Sequence, residues 1–195
     1  MAHGAVVLRS SFRDRLIGAL RLNPNTYTEV ASDDTATGQG AVIITIGGIL
    51  GVIQLWLNGT WSQVGAALPP IVVVFLAVLG IIFWWLVTIL YVGLLAVIAT
   101  MRIRGPQTRM AFWRLLRAFR FGGALGAVFG LLRLLPSIGG VIGVAIMLWT
   151  FVAQIIGIRK AVGVTIGRAV AIIIGAGIII VGLLVTLDLA VIGVI

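Results

Sequence analysis

Long runs of apolar residues, separated by short polar connections, dominate this chain. None of the runs has a charged residue at its centre, and they cover residues 40–57, 71–100, 115–135, 141–158 and 168–188. About 20 apolar residues in a helix span the roughly 30 Å hydrocarbon core of a bilayer. The pattern therefore predicts an all-α, polytopic membrane protein whose transmembrane domain, residues 40–195, contains five transmembrane helices.

Residues 1–39 form the only substantial polar region, and the pattern there predicts two short amphipathic helices. The first covers about 11–22 and stops before Pro24, because proline disfavours helix at the preceding residue. Thr26 and Glu29 have the spacing of a capping box, which predicts a second helix ending near Ala31.

Basic residues are distributed unevenly around the predicted helices, and this distribution predicts the orientation. Of the 14 Lys and Arg residues, all but Arg133 lie before the first run, in residues 102–120, which include the start of the third run, or in residues 159–168, which end at the start of the fifth. Short loops rich in Lys and Arg stay on the cytoplasmic side. The N-terminus is therefore predicted inside and the C-terminus outside, in a bacterial cytoplasmic membrane.

Composition excludes several classes of function. The chain is 61% hydrophobic and 10% charged, whereas soluble domains carry about 25% charged residues. The net charge of +9 flanks membrane-length runs, so we expect no nucleic-acid partner. There is no Cys, and the single histidine, His3, lies outside the predicted helices, so we expect no metal and no histidine-ligated cofactor.

The acidic residues do not form a catalytic arrangement. Four lie in the N-terminal region, and Asp188 stands alone at the end of the last run. General acid–base catalysis needs titratable groups positioned together. We therefore expect a protein that is not an enzyme.

One segment, about 110–120, is basic and amphipathic. At 100° per residue Arg114, Arg117 and Arg120 share one face, while Leu115 and Phe119 lie opposite. This pattern predicts a helix at the membrane interface, with its guanidinium groups on the phosphates of anionic lipids.

Small residues recur at every fourth position, the spacing that allows helices to approach closely in lipid. They serve either the internal packing of the bundle or an interface with other transmembrane proteins. The candidates are Gly47, Gly51, Gly122, Gly126, Gly130, Gly139, Gly143 and Gly175.

Two pairs of polar or aromatic residues lie within the runs. Gln54 and Gln154 are predicted to join helices by hydrogen bonds, with a transport site as the alternative. Trp84 and Trp85 lie far from the interfaces where Trp is usual. They are predicted to pack against neighbouring helices, or to contact the apolar tail of a lipid, quinone or carotenoid.

Arg133 and Asp188 are the only opposite charges predicted on the external side. Because an unpaired charge at membrane depth is costly, we predict that they form an ion pair. Separate contact of each with water is the alternative.

Three segments resemble the bacterial branch of the Yip (Ypt-interacting protein) superfamily: RLNPNTYTEVA at 21–31, FWRLLRAF at 112–119 and IIGIRKAVGVTIGRA at 155–169. The resemblance implies five spans with a cytoplasmic N-terminus. Eukaryotic members bind Rab GTPases through an Asp-Leu-Tyr-Gly-Pro motif. That motif is absent here, so no such GTPase partner is expected.

These observations favour a scaffold or accessory subunit that packs against other membrane proteins, in an assembly such as an energy-transducing complex. Small-residue faces and the near-absence of extramembrane domains support this interpretation. A free-standing membrane-shaping or lipid-binding protein is the alternative, and a small transporter is third.

Overall fold

The computed structural model describes residues 10–57, 68–100, 107–130, 132, 135 and 138–191. Within these ranges, only the backbone is described for residues 107–109, 127, 128, 184 and 187–191. This part of the chain is helical and contains no strand. Its helices are α1 (Phe12–Leu20), α2 (Pro24–Ser32), α3 (Ala36–Leu57), α4 (Pro70–Thr100), α5 (Gln107–Gly122), α6 (Ala124–Phe129), α7 (Gly139–Val162) and α8 (Ile166–Val191).

Four of these helices are long and apolar enough to cross a membrane: α3, α4, α7 and the part of α8 up to Leu183. Each coincides with a predicted span and begins before its predicted start. The extension is largest in α3, which begins at Ala36 rather than at Gly40. The first turn of α3 contains the polar residues Thr37 and Gln39, so the helix begins before the apolar run.

The predicted third span is not one continuous helix in the structure. Residues 115–135 are divided between the end of α5 and the short helix α6, with a turn at Gly123. Glycine inside a helix costs about 1 kcal/mol relative to alanine, and this region has glycine at 122, 123, 126 and 130. The run is therefore apolar enough to be predicted as a span but too rich in glycine to remain a single helix.

Local interactions determine the first two helices. The side chain of Ser11 accepts a hydrogen bond from the backbone N–H of Asp14, and Asp14 accepts one from the backbone of Ser11, so α1 begins with a capping box. The cap of α2 is Asn23, with Pro24 in the first helical position. The predicted capping box of Thr26 and Glu29 is therefore wrong. Pro24 starts the helix earlier, and the carboxylate of Glu29 accepts hydrogen bonds from Ser10 and Arg15 instead.

Helix α5 is the centre of the bundle rather than an interfacial helix. It packs against α2, α3, α4 and α7, and both faces of its second half are buried. Leu115, Leu116 and Phe121 are buried among the neighbouring helices, and so are the arginines at positions 117 and 120.

The helix ends define one end of the bundle, which we call the capped end: α1, α2, the start of α3 and the ends of α4 and α7. Arg168, at the start of α8, donates a hydrogen bond of 3.4 Å to the carbonyl of Ala99, near the end of α4. Helix α7 ends at Val162, shortly before α8, and Gly163, with φ +76°, is its C-cap. Since α4 and α7 both end here, the connecting segment with α5 and α6 must run back along the bundle.

Candidate functional site

A buried arginine joins the first three helices at the capped end. The side chain of Arg15 is 1% exposed, and its Nη2 donates a 2.9 Å hydrogen bond to Glu29 and another to Asp33. Its Nη1 donates to Oε1 of Gln39 in α3 at 3.1 Å. Ser10 also donates to Glu29, at 2.5 Å. A buried charge with this many partners fixes α1 and α2 on the start of α3.

The carboxyl groups of this cluster are stabilised in their ionised form. Burial by itself would raise the pKa of Asp33, but hydrogen bonds from Arg15 and Thr35 outweigh it and lower the pKa to about 2. Burial likewise opposes the shift at Glu29, where hydrogen bonds from Ser10 and Arg15 hold the pKa below its ordinary value. The cluster is therefore ionised at neutral pH and serves as a structural joint.

A second arginine connects α2 to the central helix. Arg117 in α5 forms an ion pair with Asp34 and donates to the carbonyl of Ala31 at 2.9 Å. Tyr27 of α2 is fully buried and lies near Gly157 of α7, and its hydroxyl donates to the carbonyl of Ala19 at 3.2 Å. The described part of the polar N-terminal region, from Ser10 onward, is thus packed onto the bundle.

The third arginine, Arg120, lies deeper in the bundle and is 4% exposed. Its Nη1 donates to the carbonyl of Thr37 at 3.1 Å, and its guanidinium carbon lies 4.8 Å from the centre of the Trp85 ring. Its Nε is buried without a hydrogen-bond partner among the described residues. No carboxylate in this part of the chain forms an ion pair with the guanidinium. Within the described structure, Arg120 therefore carries a buried charge without a counter-ion.

Arg120 lines a cavity of about 580 Å³ between α3, α4, α5, α6 and α7. Most of the wall is apolar, with contributions from Ile43, Leu50, Phe119 and Ile146. A pocket of this size, mostly apolar with a few polar groups, is typical of a small-molecule site. We call it the central cavity.

The polar groups of the central cavity differ in whether their hydrogen bonds are already made. Thr88 and Thr150 donate to carbonyls of their own helices, both at 2.8 Å. Gln54 and Gln154 also line the cavity, and neither side chain makes a hydrogen bond within the described part of the chain. Three residues, Arg120 and the two glutamines, therefore retain donors for a ligand.

These groups are arranged along the length of the cavity. Arg120 is near the capped end, because it contacts Thr37 and Gly40 at the start of α3. The contact of Gly122 with Ala153 places Gln154 at a similar level of the bundle. Gln54 lies eleven residues beyond Ile43 along α3, which corresponds to about 16 Å of helix. The cavity is thus elongated, with a charged end and an amide at the other end.

The wall of the central cavity includes residues at the outer surface of the bundle. Trp84 is 50% exposed and Met147 is also exposed, and both line the cavity. Such large exposed apolar side chains contact acyl chains when the bundle is in a membrane.

The glycines predicted for helix packing have different surroundings. Gly122 is close to Ala153, with 3.6 Å between a Cβ built on the glycine and the Cβ of Ala153, and Gly126 approaches Ile146 at 4.0 Å. Gly139 is buried at the start of α7, and Gly143 is half-buried one turn later. Four others would meet nothing within 4 Å of an added Cβ: Gly47, Gly51, Gly130 and Gly175. Of these four, all but Gly175 line the central cavity.

The predicted basic face of Arg114, Arg117 and Arg120 is not one exposed surface. Arg114 is exposed, whereas Arg117 and Arg120 are buried in the contacts described above. The two buried arginines do share a face of α5, but the partners on that face are α2 and α3 rather than solvent. Contact between Arg114 and lipid phosphate stays a prediction.

The predicted pair of Arg133 and Asp188 lies outside the described side chains. The two predicted tryptophans are both near the central cavity: Trp84 lines it and Trp85 faces the guanidinium of Arg120. Contact of either ring with an apolar ligand stays a prediction.

Sequence reasoning missed the role of Gly40, which lies against the stem of Arg120, and the burial of Arg15. The signal for Arg120 was present, since an ionisable residue inside an apolar run is a functional hypothesis by default. The signal for Arg15 was the set of acids, Glu29, Asp33 and Asp34, that follow it in the N-terminal region, where four of the five acids of the chain lie. The partners of Arg120 and Arg15 could not be assigned without knowing which helices are neighbours.

No group of three or more His, Cys, Asp or Glu residues that could hold a metal ion occurs in the described part of the chain. Comparison with protein-family models, curated proteins and solved structures finds no match to the chain.

Proposed function

We propose that this chain is a non-catalytic integral membrane protein that binds one amphipathic molecule from the membrane in its central cavity. The observation that carries the proposal is the combination of an apolar cavity, three residues with free donors and a wall that reaches the outer surface at Trp84. Of the functions that the sequence suggested, lipid binding is the one that this geometry favours.

The membrane setting of the proposal is a five-span topology in a bacterial cytoplasmic membrane. Helices α3, α4, α7 and α8 supply four crossings, and α5 with α6 supplies the other. Two contacts support this: Gly157 lies near Ala118 and Gly126 near Ile146, so α5 and α6 run antiparallel to α7. With its many basic residues, the capped end is assigned to the cytoplasm.

The accessory-subunit role stays a prediction, as does membership of the Yip superfamily. Apolar side chains cover the outside of α3, α4, α7 and α8, and lipid alone accounts for them. They do not distinguish a scaffold from a free-standing protein. The central cavity, in contrast, offers space and polar groups for a bound molecule among the described residues.

Native mass spectrometry of the protein in mild detergent tests the proposal. We expect one bound amphiphile per chain, either retained from the membrane or acquired when dodecanol or lauric acid is added. Replacing both Gly47 and Gly51 by leucine should fill the cavity and remove the bound molecule, because open space lies beside both residues. Gly175→Leu is the matched control, since Gly175 also faces open space but not the cavity.

The proposal fails if wild-type protein binds no amphiphile of either kind. It also fails if the doubly substituted protein folds and binds the amphiphile as well as the Gly175→Leu control does. In that case the bound molecules lie on the outer surface.

A further inference from the structure

We infer that the central cavity selects an anionic amphiphile, with a carboxylate or phosphate headgroup bound by Arg120 and a single apolar chain along α3. This inference rests on the proposed function and names the class of ligand. It follows from the charge of Arg120, from the way the fold accommodates its side chain, and from the shape of the cavity.

The charge of Arg120 is the first argument. A guanidinium stays protonated in proteins and has five N–H donors. Here one donor meets the carbonyl of Thr37, the ring of Trp85 contacts the cation, and Nε has no partner among the described residues. Carbonyl oxygens and an aromatic face bind a cation without neutralising it. An anion is therefore the group that the described surroundings lack.

The other two buried arginines provide an internal comparison. Arg15 is paired with Glu29 and Asp33, and Arg117 is paired with Asp34. Arg117 also has a buried Nε without a partner in the described structure, but its guanidinium has a carboxylate. Only Arg120 among these three combines burial, a missing counter-ion and a place in the cavity wall. Within the described residues, the two arginines that join helices are each paired with a carboxylate, whereas Arg120 is not.

The position of Arg120 is built into the packing of α3 against α5. A Cβ on Gly40 would lie 2.8 Å from Cδ and 2.9 Å from Cβ of Arg120, closer than side-chain carbons approach each other. The absence of a side chain at Gly40 therefore allows the stem of Arg120 to lie against α3. The guanidinium lies between the carbonyl of Thr37 and the ring of Trp85, and the residue is only 4% exposed.

The remainder of the cavity suits a hydrocarbon chain. From the end occupied by Arg120 the wall along α3 continues with Ile43, Ile44 and Leu50, over about 16 Å to Gln54. Because a free inorganic anion would leave this apolar space unfilled, the geometry favours an ion that is attached to a chain. Bidentate hydrogen bonds from arginine suit carboxylate and phosphate equally.

Four probes test the inference by native mass spectrometry or equilibrium titration at pH 8: lauric acid, monododecyl phosphate, uncharged dodecanol and inorganic phosphate. Wild-type protein should bind both anionic amphiphiles at least about tenfold more tightly than dodecanol, as expected for charge-assisted hydrogen bonds. Inorganic phosphate should compete poorly with monododecyl phosphate. Arg120→Gln should bring the affinities of lauric acid and dodecanol within about threefold of each other, because it removes the charge that distinguishes them.

Arg114→Gln is the matched control, because Arg114 is on the same helix but exposed, and this variant should keep the wild-type preference. If Arg120→Gln does not fold, Gly40→Ala serves as the second variant, since it displaces the stem of Arg120 without removing the charge. It should reduce the preference for the anionic probes.

The outcomes separate this inference from the proposed function. Equal binding of lauric acid and dodecanol by wild-type protein overturns the inference and leaves amphiphile binding intact. Binding of none of the three amphiphiles overturns both. If inorganic phosphate competes as strongly as monododecyl phosphate, the cavity is a site for a free anion. The requirement for an attached apolar chain is then refuted.

Discussion

Gly40 in α3 and Arg120 in α5 are packed so closely that a methyl group on the glycine would lie 2.8 Å from Cδ of the arginine. Eighty positions separate the two residues in sequence. Their contact joins the first long helix to the central helix and places a guanidinium in the cavity wall. Small residues are known to permit close helix contacts in membranes, and here the partner is a charged side chain rather than a second small residue.

Gly40→Ala should therefore destabilise the protein. The added methyl group must displace Arg120, and overpacking of this kind costs about 1–3 kcal/mol. Gly47→Ala, about two turns further along α3, meets nothing within 4 Å and should be neutral or slightly stabilising. Thermal unfolding of both variants in one detergent measures the difference. A Gly40→Ala protein as stable as Gly47→Ala would contradict the observed packing.

The ion pair between Arg117 and Asp34 should be asymmetric in its contribution. The side chain of Asp34 is 95% exposed whereas that of Arg117 is 7% exposed. Asp34→Asn should cost less than about 1 kcal/mol, as exposed ion pairs do. Arg117→Ala should cost more, because it also removes the hydrogen bond to the carbonyl of Ala31 and buried packing. Unfolding of the two single variants in detergent would show equal losses if this reasoning is wrong.

Acid should loosen the N-terminal helices. The pKa of Asp33 is about 2 in the folded chain, against about 3.9 for an ordinary aspartate, and the pKa of Glu29 is also lowered. Groups with a lowered pKa stabilise the folded state above their unfolded value, and this contribution is lost as the pH falls through the folded value. Stability should therefore decline between about pH 5 and pH 2.

Asp33→Asn provides the control for this pH dependence. The variant should be less stable than wild type at neutral pH, since Arg15 loses a carboxylate, and its stability should decline less over the same acidic range. Melting temperatures measured at several pH values provide the comparison. A decline equal to that of wild type would assign the acid sensitivity to other groups.

The absence of cysteine allows a direct test of the five-span topology. Single cysteines that replace Ser11 and Thr165 should be protected in intact cells from a membrane-impermeant maleimide, because both positions lie at the capped end. Cysteines that replace Leu68 and Gly140 should be labelled from outside. These positions lie at the starts of α4 and α7, and both helices run from there to the capped end. Protection of Gly140→Cys together with labelling of Thr165→Cys would show that α5 and α6 do not cross the membrane, because α7 would then cross in the opposite direction. A cytoplasm-dependent reporter fused after Ile195 should be inactive.

Four of the long helices could be predicted from the sequence because each is a nearly continuous apolar run, and length and composition are sufficient to recognise such a helix. The third predicted span was different. Its glycines and arginines have the spacing of an amphipathic helix, and this pattern indicates that one face of the helix is polar. The pattern does not report whether lipid headgroups, water or another helix covers that face.

By itself, then, the sequence determined the helical class, the extent of four long apolar helices and the uneven distribution of basic residues around them. These properties depend on residues that are adjacent in the chain. Only the tertiary structure decided that Arg117 meets Ala31 and Asp34, that Arg120 lies against Gly40, and that both glutamines line one cavity. Those contacts join residues about 80 to 100 positions apart, and the free energy of burying a charge depends on which side chains the packed helices bring to it.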